Sequence, residues 1–210
     1  MNPLVIFVSF VIAVGAVALL SWKLLFLRNP KRTIPPGKNL VSPADGTIIE
    51  VFQYHDSSVE LFKGNHRALG YIKTMTEDVA RHGYIVSIFM SPLDVHYNRT
   101  PLSGDIVSVR HSAGKFLPAN TFRSGLINEK TEIVIKNAVI RVKIIQIAGF
   151  LAKRIETFVQ PNDKVKKGQL VGLINLGSQV TLVLPRSVTL TVSKGQKVTP
   201  GETIIAKINH

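Results

Sequence analysis

From Leu4 to Trp22 the chain runs for 19 residues without a charge, mostly Val, Ile, Leu, Phe and Ala. From Leu40 onward the pattern changes to short β-branched runs punctuated by Gly, Pro, Asn and Asp. The first stretch has the length of a membrane helix: at 1.5 Å per residue it reaches about 28 Å, close to the roughly 30 Å of a bilayer core. A secretory signal is the rival reading, but nothing basic precedes the apolar run, and Trp22 and Lys23 close it like an interfacial anchor. The second pattern predicts strands at Thr47–Phe52, Ile85–Met90, Ile106–Arg110, Glu132–Ile147, Leu170–Ile174, Val180–Leu184, Ser187–Val192 and Thr203–Ile208. Helical period is scarce; Met75–Arg81 and Phe150–Thr157 each predict a turn or two of helix.

Together these elements predict a mainly β chain, with twisted β-sheets in a barrel-sandwich-like single domain behind an N-terminal transmembrane helix. The expected division is an anchor at 1–27, a basic Pro-rich linker at 28–40 and a β-rich domain at 41–210. Asn29-Pro30 and Ile34-Pro35-Pro36-Gly37 stiffen the linker. Two short similarities run through the domain. Ser42-Pro43-Ala44-Asp45-Gly46 and Thr100-Pro101-Leu102-Ser103-Gly104 share a Pro-x-x-Gly turn feeding a strand. Asn162 to Gly168 and Gly195 to Gly201 share x-x-Lys-Val-x-x-Gly, a turn type that recurs in lipoyl and biotinyl carrier domains.

Charge sharpens this picture. The net charge is +13, of which residues 1–27 carry only Lys23, so the remainder is +12. Lys23, Arg28, Lys31, Arg32 and Lys38 follow the apolar run with no acidic residue before Asp45. Such a cluster holds the following domain on the cytoplasmic side of a cell membrane and attracts anionic headgroups. No zinc-finger, helix-turn-helix or aromatic RNA-binding signature supports a nucleic-acid partner. The chain has no cysteine, which excludes disulfides and thiolate metal sites, and the histidines show no metal-ligand spacing.

Candidate chemistry concentrates at Gly177-Ser178. In itself Gly-Ser is a turn signal. In a β-rich tail it has a second reading, in which the serine hydroxyl attacks the preceding carbonyl, converts amide to ester, and eliminates. The chain is then cut and position 178 becomes a pyruvoyl group, an electrophile that no ordinary side chain supplies. Asp45 reads as an Asx-turn before Gly46 or as a partner in that processing. His96 reads as a packed loop histidine or as an acid/base, since its ordinary pKa lies near working pH.

Three segments in order resemble the phosphatidylserine decarboxylase proenzymes, especially their short, archaeal-type form, which includes archaetidylserine decarboxylases. They are Ser42-Pro43-Ala44-Asp45-Gly46, Met90-Ser91-Pro92-Leu93-Asp94-Val95-His96-Tyr97-Asn98-Arg99 and Leu176-Gly177-Ser178. Arg28 to Arg32, Asn128-Glu129-Lys130, Gln146-Ile147-Ala148-Gly149 and Ala152-Lys153-Arg154-Ile155 extend the likeness over residues 26–210. The resemblance implies autocatalytic cleavage after Gly177, giving a β chain 1–177 and an α chain 178–210 of 33 residues (210 − 177). It implies a covalent pyruvoyl cofactor derived from Ser178 that decarboxylates the serine headgroup of a phospholipid through a Schiff base. It assigns Asp45 to self-processing and His96 to decarboxylation. The expected partners are the phospholipid, the membrane and the two chains of one proenzyme; the oligomeric state is open, with a dimer as one candidate. Longer relatives carry a second histidine where this chain has Arg99, so their Asp-His-Ser triad does not carry over whole. His96 serving both steps, Arg99 and Asn98 polarising the Gly177 carbonyl, and backbone strain are the alternatives. Arg99 is also the candidate phosphate contact. The contrasting expectation is a membrane-anchored carrier or adaptor domain, with Lys164 near a hairpin tip.

Overall fold

The computed structural model describes residues 2–56, 72–150, 154–175 and 177–209. Helix α1 spans Pro3–Ser21, one residue earlier than predicted, and runs into a π-helical turn at Trp22–Phe26. Every described side chain of α1 is exposed. This helix is apolar all round, and it is long and apolar enough to cross a membrane.

The domain is built from strands. These are β1 (Asn39–Val41), β2 (Gly46–His55), β3 (His82–Met90), β4 (Tyr97–Arg99), β5 (Gly104–Ser112), β6 (Lys130–Lys136) and β7 (Arg141–Ile147). After them come β8 (Ile155–Thr157), β9 (Lys164–Val165), β10 (Leu170–Ile174), β11 (Ser178–Pro185), β12 (Val188–Leu190), β13 (Lys197–Val198) and β14 (Ile204–Ile208). A short helix α2 (Phe122–Ile127) is capped by Thr121, whose side chain accepts from the Ser124 N–H. Eight strands form a curled antiparallel half-barrel in the order β13-β2-β3-β11-β7-β6-β5-β9. Two three-stranded sheets, β1-β14-β12 and β4-β10-β8, complete the domain.

Strand β11 lies at the middle of the large sheet, flanked by β3 and β7, with both faces covered. Val180, Leu182 and Leu184 face one core, with Ile48, Ile88 and Ile144. Val183 faces the other, with Tyr54, Ile85 and Phe122. Each fully buried aliphatic side chain contributes roughly 1.5–3 kcal/mol.

The two sequence similarities are a structural duplication. Strands β1 and β2 correspond to β4 and β5, and β7–β10 correspond to β11–β14. Val198 pairs with Gly46 and Lys197 with Thr47, as Val165 pairs with Gly104 and Lys164 with Asp105. Each half also bonds the other: Val41 N–H donates to Pro101 O at 3.0 Å and Arg99 N–H to Pro43 O at 2.9 Å. Ile34 of the linker lies against both Gly168 and Gly201, the equivalent turn glycines.

Three expectations need correction. The run Glu132–Ile147 is two strands joined by a hairpin, because Asn137 Oδ1 accepts from the N–H groups of Val139 and Ile140 and closes a turn without glycine. Ile155–Thr157 is strand β8 rather than the end of a helix, pairing with β10, while 151–153 lie outside the described residues. The consecutive strands β10 and β11 belong to different sheets, so the chain changes sheet at Gly177. Of the Met75–Arg81 segment, only the start is helical, in a turn at 72–76.

Candidate active site

The change of sheet sets the geometry at Gly177. Its φ of +67° is in the left-handed region, where glycine carries no Cβ penalty. Its carbonyl points at the chain leaving β7: a Cβ on Gly149 would sit 1.6 Å from Gly177 O and 2.8 Å from its carbonyl carbon. Only glycine at 149 leaves room for that carbonyl. Leu176 lies outside the described residues.

Ser178 opens β11 directly opposite Met90, the last residue of β3. It is fully buried, and its Oγ has no hydrogen-bond partner. The loop that follows Met90 carries His96 back beside this point, where His96 O accepts from Ile174 N–H at 3.3 Å, four residues before Ser178. His96 is also fully buried. Its Nδ1 lies 2.7 Å from Asp94 O. A carbonyl accepts only from an N–H, so Nδ1 carries the proton and Nε2 presents a lone pair. That Nε2 is buried and unpartnered. Burial pushes the imidazole pKa down to about 4, partly opposed by the Asp94 carbonyl bond and Asp94 charge, and helped by Arg28. The ring is covered by Phe26, 4.4 Å away between centroids, and Phe26 stacks on Trp22 at 4.3 Å. The π-helical turn after α1 therefore covers the imidazole.

Asp45 does not touch the imidazole. Its Oδ2 accepts from the Val95 N–H at 3.0 Å, with Arg32 4.0 Å away, so it fixes the loop one residue before His96. The duplicated turn has Ser103 at this place, bonded to Lys167 N–H within its own half. Asp45 thus breaks the internal symmetry on the side where His96 lies. Strand alternation separates Asn98 from Arg99. Asn98 is fully buried, with Nδ2 3.5 Å from Met90 Sδ. Arg99 turns to the linker, donating to Gly168 O at 2.7 Å and Asn29 Oδ1 at 2.6 Å. Lys164 opens strand β9, two residues after the turn at 161–162.

Gln146 and Gly149 belong to a motif visible in the sequence, yet their part in the site was not legible there. Gln146 reaches across from β7, its Nε2 donating to Asn98 Oδ1 at 2.8 Å. Loops at this same end of the alternate strands β3, β7 and β5 expose Leu93, Phe150, Phe116 and Leu117. Arg28, just after the π-helical turn, donates to Leu93 O on this rim.

Comparison with known proteins finds the family model described as phosphatidylserine decarboxylase matching residues 19–206. A Methanocaldococcus jannaschii protein provisionally named an archaetidylserine decarboxylase proenzyme is 39% identical over 92% of this chain and 93% of its own length. Phosphatidylserine decarboxylase proenzymes of Carboxydothermus hydrogenoformans and Chlorobium phaeobacteroides strain DSM 266 are 41% and 43% identical. The alignments cover 87% and 93% of this chain, and 78% and 83% of those proteins.

Proposed function

Because the chain belongs to the phosphatidylserine decarboxylase family, we propose that it cuts itself between Gly177 and Ser178 and then decarboxylates the serine headgroup of a membrane phospholipid. The observation that carries this reading is a pair of buried, unpartnered atoms, the hydroxyl Ser178 Oγ and the imidazole lone pair at His96 Nε2, on segments joined by the Ile174 N–H to His96 O bond four residues before Ser178. Buried polar atoms are normally satisfied, and leaving one unmade costs roughly 1–3 kcal/mol.

In the cut, His96 Nε2 takes the hydroxyl proton of Ser178 and Oγ attacks the Gly177 carbonyl carbon. The C–N bond breaks, the proton passes to the departing nitrogen, and an ester joins Gly177 to Ser178 Oγ beside a free amine on residue 178. Loss of the Cα proton of residue 178 expels the Gly177 carboxylate and leaves a dehydroalanine. Its tautomer takes up water and releases ammonia, which makes position 178 a ketone. The surroundings suit that group: Met90, Asn98 and Gln146 offer no primary amine to condense with it. The pyruvoyl ketone supplies an electron sink reached through the amine of the substrate. His96 Nε2, a lone pair again once the cut is complete, takes a proton from the substrate amine and returns it to the carbon that loses carbon dioxide, Phe26 covers the ring, and Asp45 keeps the loop in register through Val95. The cut chains stay together because residues 178–210 contribute β11, β12, β13 and β14, each paired with another strand, and β11 is central.

The exposed apolar rim, the anchor docked on His96 and the basic residues after α1 support a site held at the cytoplasmic surface of a membrane, where the lipid headgroup enters from the bilayer. The test is carbon dioxide release by the purified protein from vesicles of phosphatidylserine and, separately, of the archaeal ether analogue. Release from either supports the reading and identifies the lipid tail. Intact headgroups in both sink it.

A further inference from the structure

Among the described residues, four buried side-chain atoms lack a partner: Arg32 Nε, His96 Nε2, Ser178 Oγ and Gln146 Oε1. The cleavage chemistry uses His96 and Ser178 but leaves Gln146 without a task. Its position is well fixed. Gln146 pairs with Val180, two residues beyond Ser178 on the neighbouring strand. Strand alternation therefore puts its side chain on the face of Ser178, one diagonal step away, about 7–8 Å between Cα atoms and within reach of a long side chain. The amide is anchored at its other end: Nε2 donates to Asn98 Oδ1, and Asn98 is held against Met90, directly opposite Ser178. The amide also lies against the backbone of Gly172 in β10. One acceptor, Oε1, is left facing a dry interior.

We propose that Gln146 is a positioning residue for self-cleavage, its Oε1 accepting a hydrogen bond from the amino group of residue 178 that the acyl shift sets free. This inference rests on the cleavage reading above. The uncut chain has no buried amine at 178; the ester form has one, and it needs an acceptor that water cannot supply there. A preformed acceptor raises the population of the ester, from which elimination proceeds. The amine of the substrate must later approach the same carbon, so the same oxygen meets it.

The experiment follows cutting of the full chain by gel and intact mass, with and without hydroxylamine. Hydroxylamine captures the ester as a Gly177 hydroxamate and releases a chain beginning with free Ser178. Gln146→Met keeps the shape and removes the acceptor. It is expected to lower both spontaneous cutting and hydroxylamine release about 10- to 100-fold, the range of one hydrogen bond to a charged group. The midpoint of the pH profile should not move, because an amide does not titrate. Gln146→Glu, protonated in this dry setting, keeps Oε1 and a donor to Asn98 and should cut within about threefold of the native rate. If Gln146→Met does not fold, Asn98→Leu releases the same amide from its anchor and should lower ester capture likewise. Native cutting by Gln146→Met overturns the proposal. Equal slowing in Gln146→Met and Gln146→Glu with lowered melting also overturns it, by reducing Gln146 to a packing role. A native chain that never cuts overturns the cleavage reading itself, and this inference with it.

Discussion

The protonation of His96 can be measured apart from catalysis. Its buried ring titrates at about 4, against 6.5 for an ordinary histidine. The perturbation is Phe26→Ala, which strips the ring of its aromatic cover and admits water. Desolvation is the largest cause of the shift, so removing it should carry the pKa from about 4 back toward 6.5. At 1.36 kcal/mol per pH unit, the full difference of 2.5 corresponds to about 3 kcal/mol. The folded pKa lies below the unfolded one, so the unfolded chain binds the proton first as pH falls. The stabilisation is complete above about pH 6.5 and is lost as pH drops from there to about 4. The assay is a histidine-ring NMR titration of the uncut Ser178→Ala protein, with the signal assigned by its loss in a Ser178→Ala, His96→Asn variant. Thermal melting over the same pH range gives the stability. A midpoint near 4 that rises in Phe26→Ala supports the closed site. A midpoint near 6.5 in the intact chain, unchanged by Phe26→Ala, would refute the argument that the anchor seals the imidazole.

Other outcomes follow from the geometry. Gly149→Ala should remain uncut, as seen by gel, because its Cβ would displace the Gly177 carbonyl from 1.6 Å away; normal cutting would mean the carbonyl has another resting place. Asp45→Ala should slow cutting and lower stability by about 1–2 kcal/mol, whereas Asp45→Asn, which keeps an acceptor for Val95 N–H, should cut nearly normally. Equal loss in both would point to a charge role instead. Arg99→Ala should lower the melting temperature by loosening Asn29 and Gly168, at about 2 kcal/mol, yet leave cutting intact. A large rise in KM for phospholipid would restore Arg99 as a phosphate contact.

Much of the fold could be read from the sequence because its signals are local. The apolar run that predicts Leu4–Trp22 is α1, and Leu170–Ile174 matches β10 residue for residue. The hairpin at Asn137 escaped because a side chain, not a glycine, closes it. The departure of β8 from helical expectation has the same kind of cause: Ile155–Thr157 is short, and its pairing with β10 decides its state. Ser178, His96 and Asp45 could be singled out as candidates by residue type, but not how the fold arranges them. Which of Asn98 and Arg99 faces inward depends on the register of β4 against β10, which no local pattern reports. The closeness of Gly149 to the Gly177 carbonyl depends on β7 and β11 being neighbours.

The central claim is that Ser178 is a precursor rather than a turn residue. Intact mass of the purified protein tests it most directly. The account predicts two chains divided after Gly177, the smaller being residues 178–210 without a free amino terminus, and a single uncut chain in Ser178→Ala. A native protein with the mass of the whole 210-residue chain and a free Ser178 hydroxyl would contradict it.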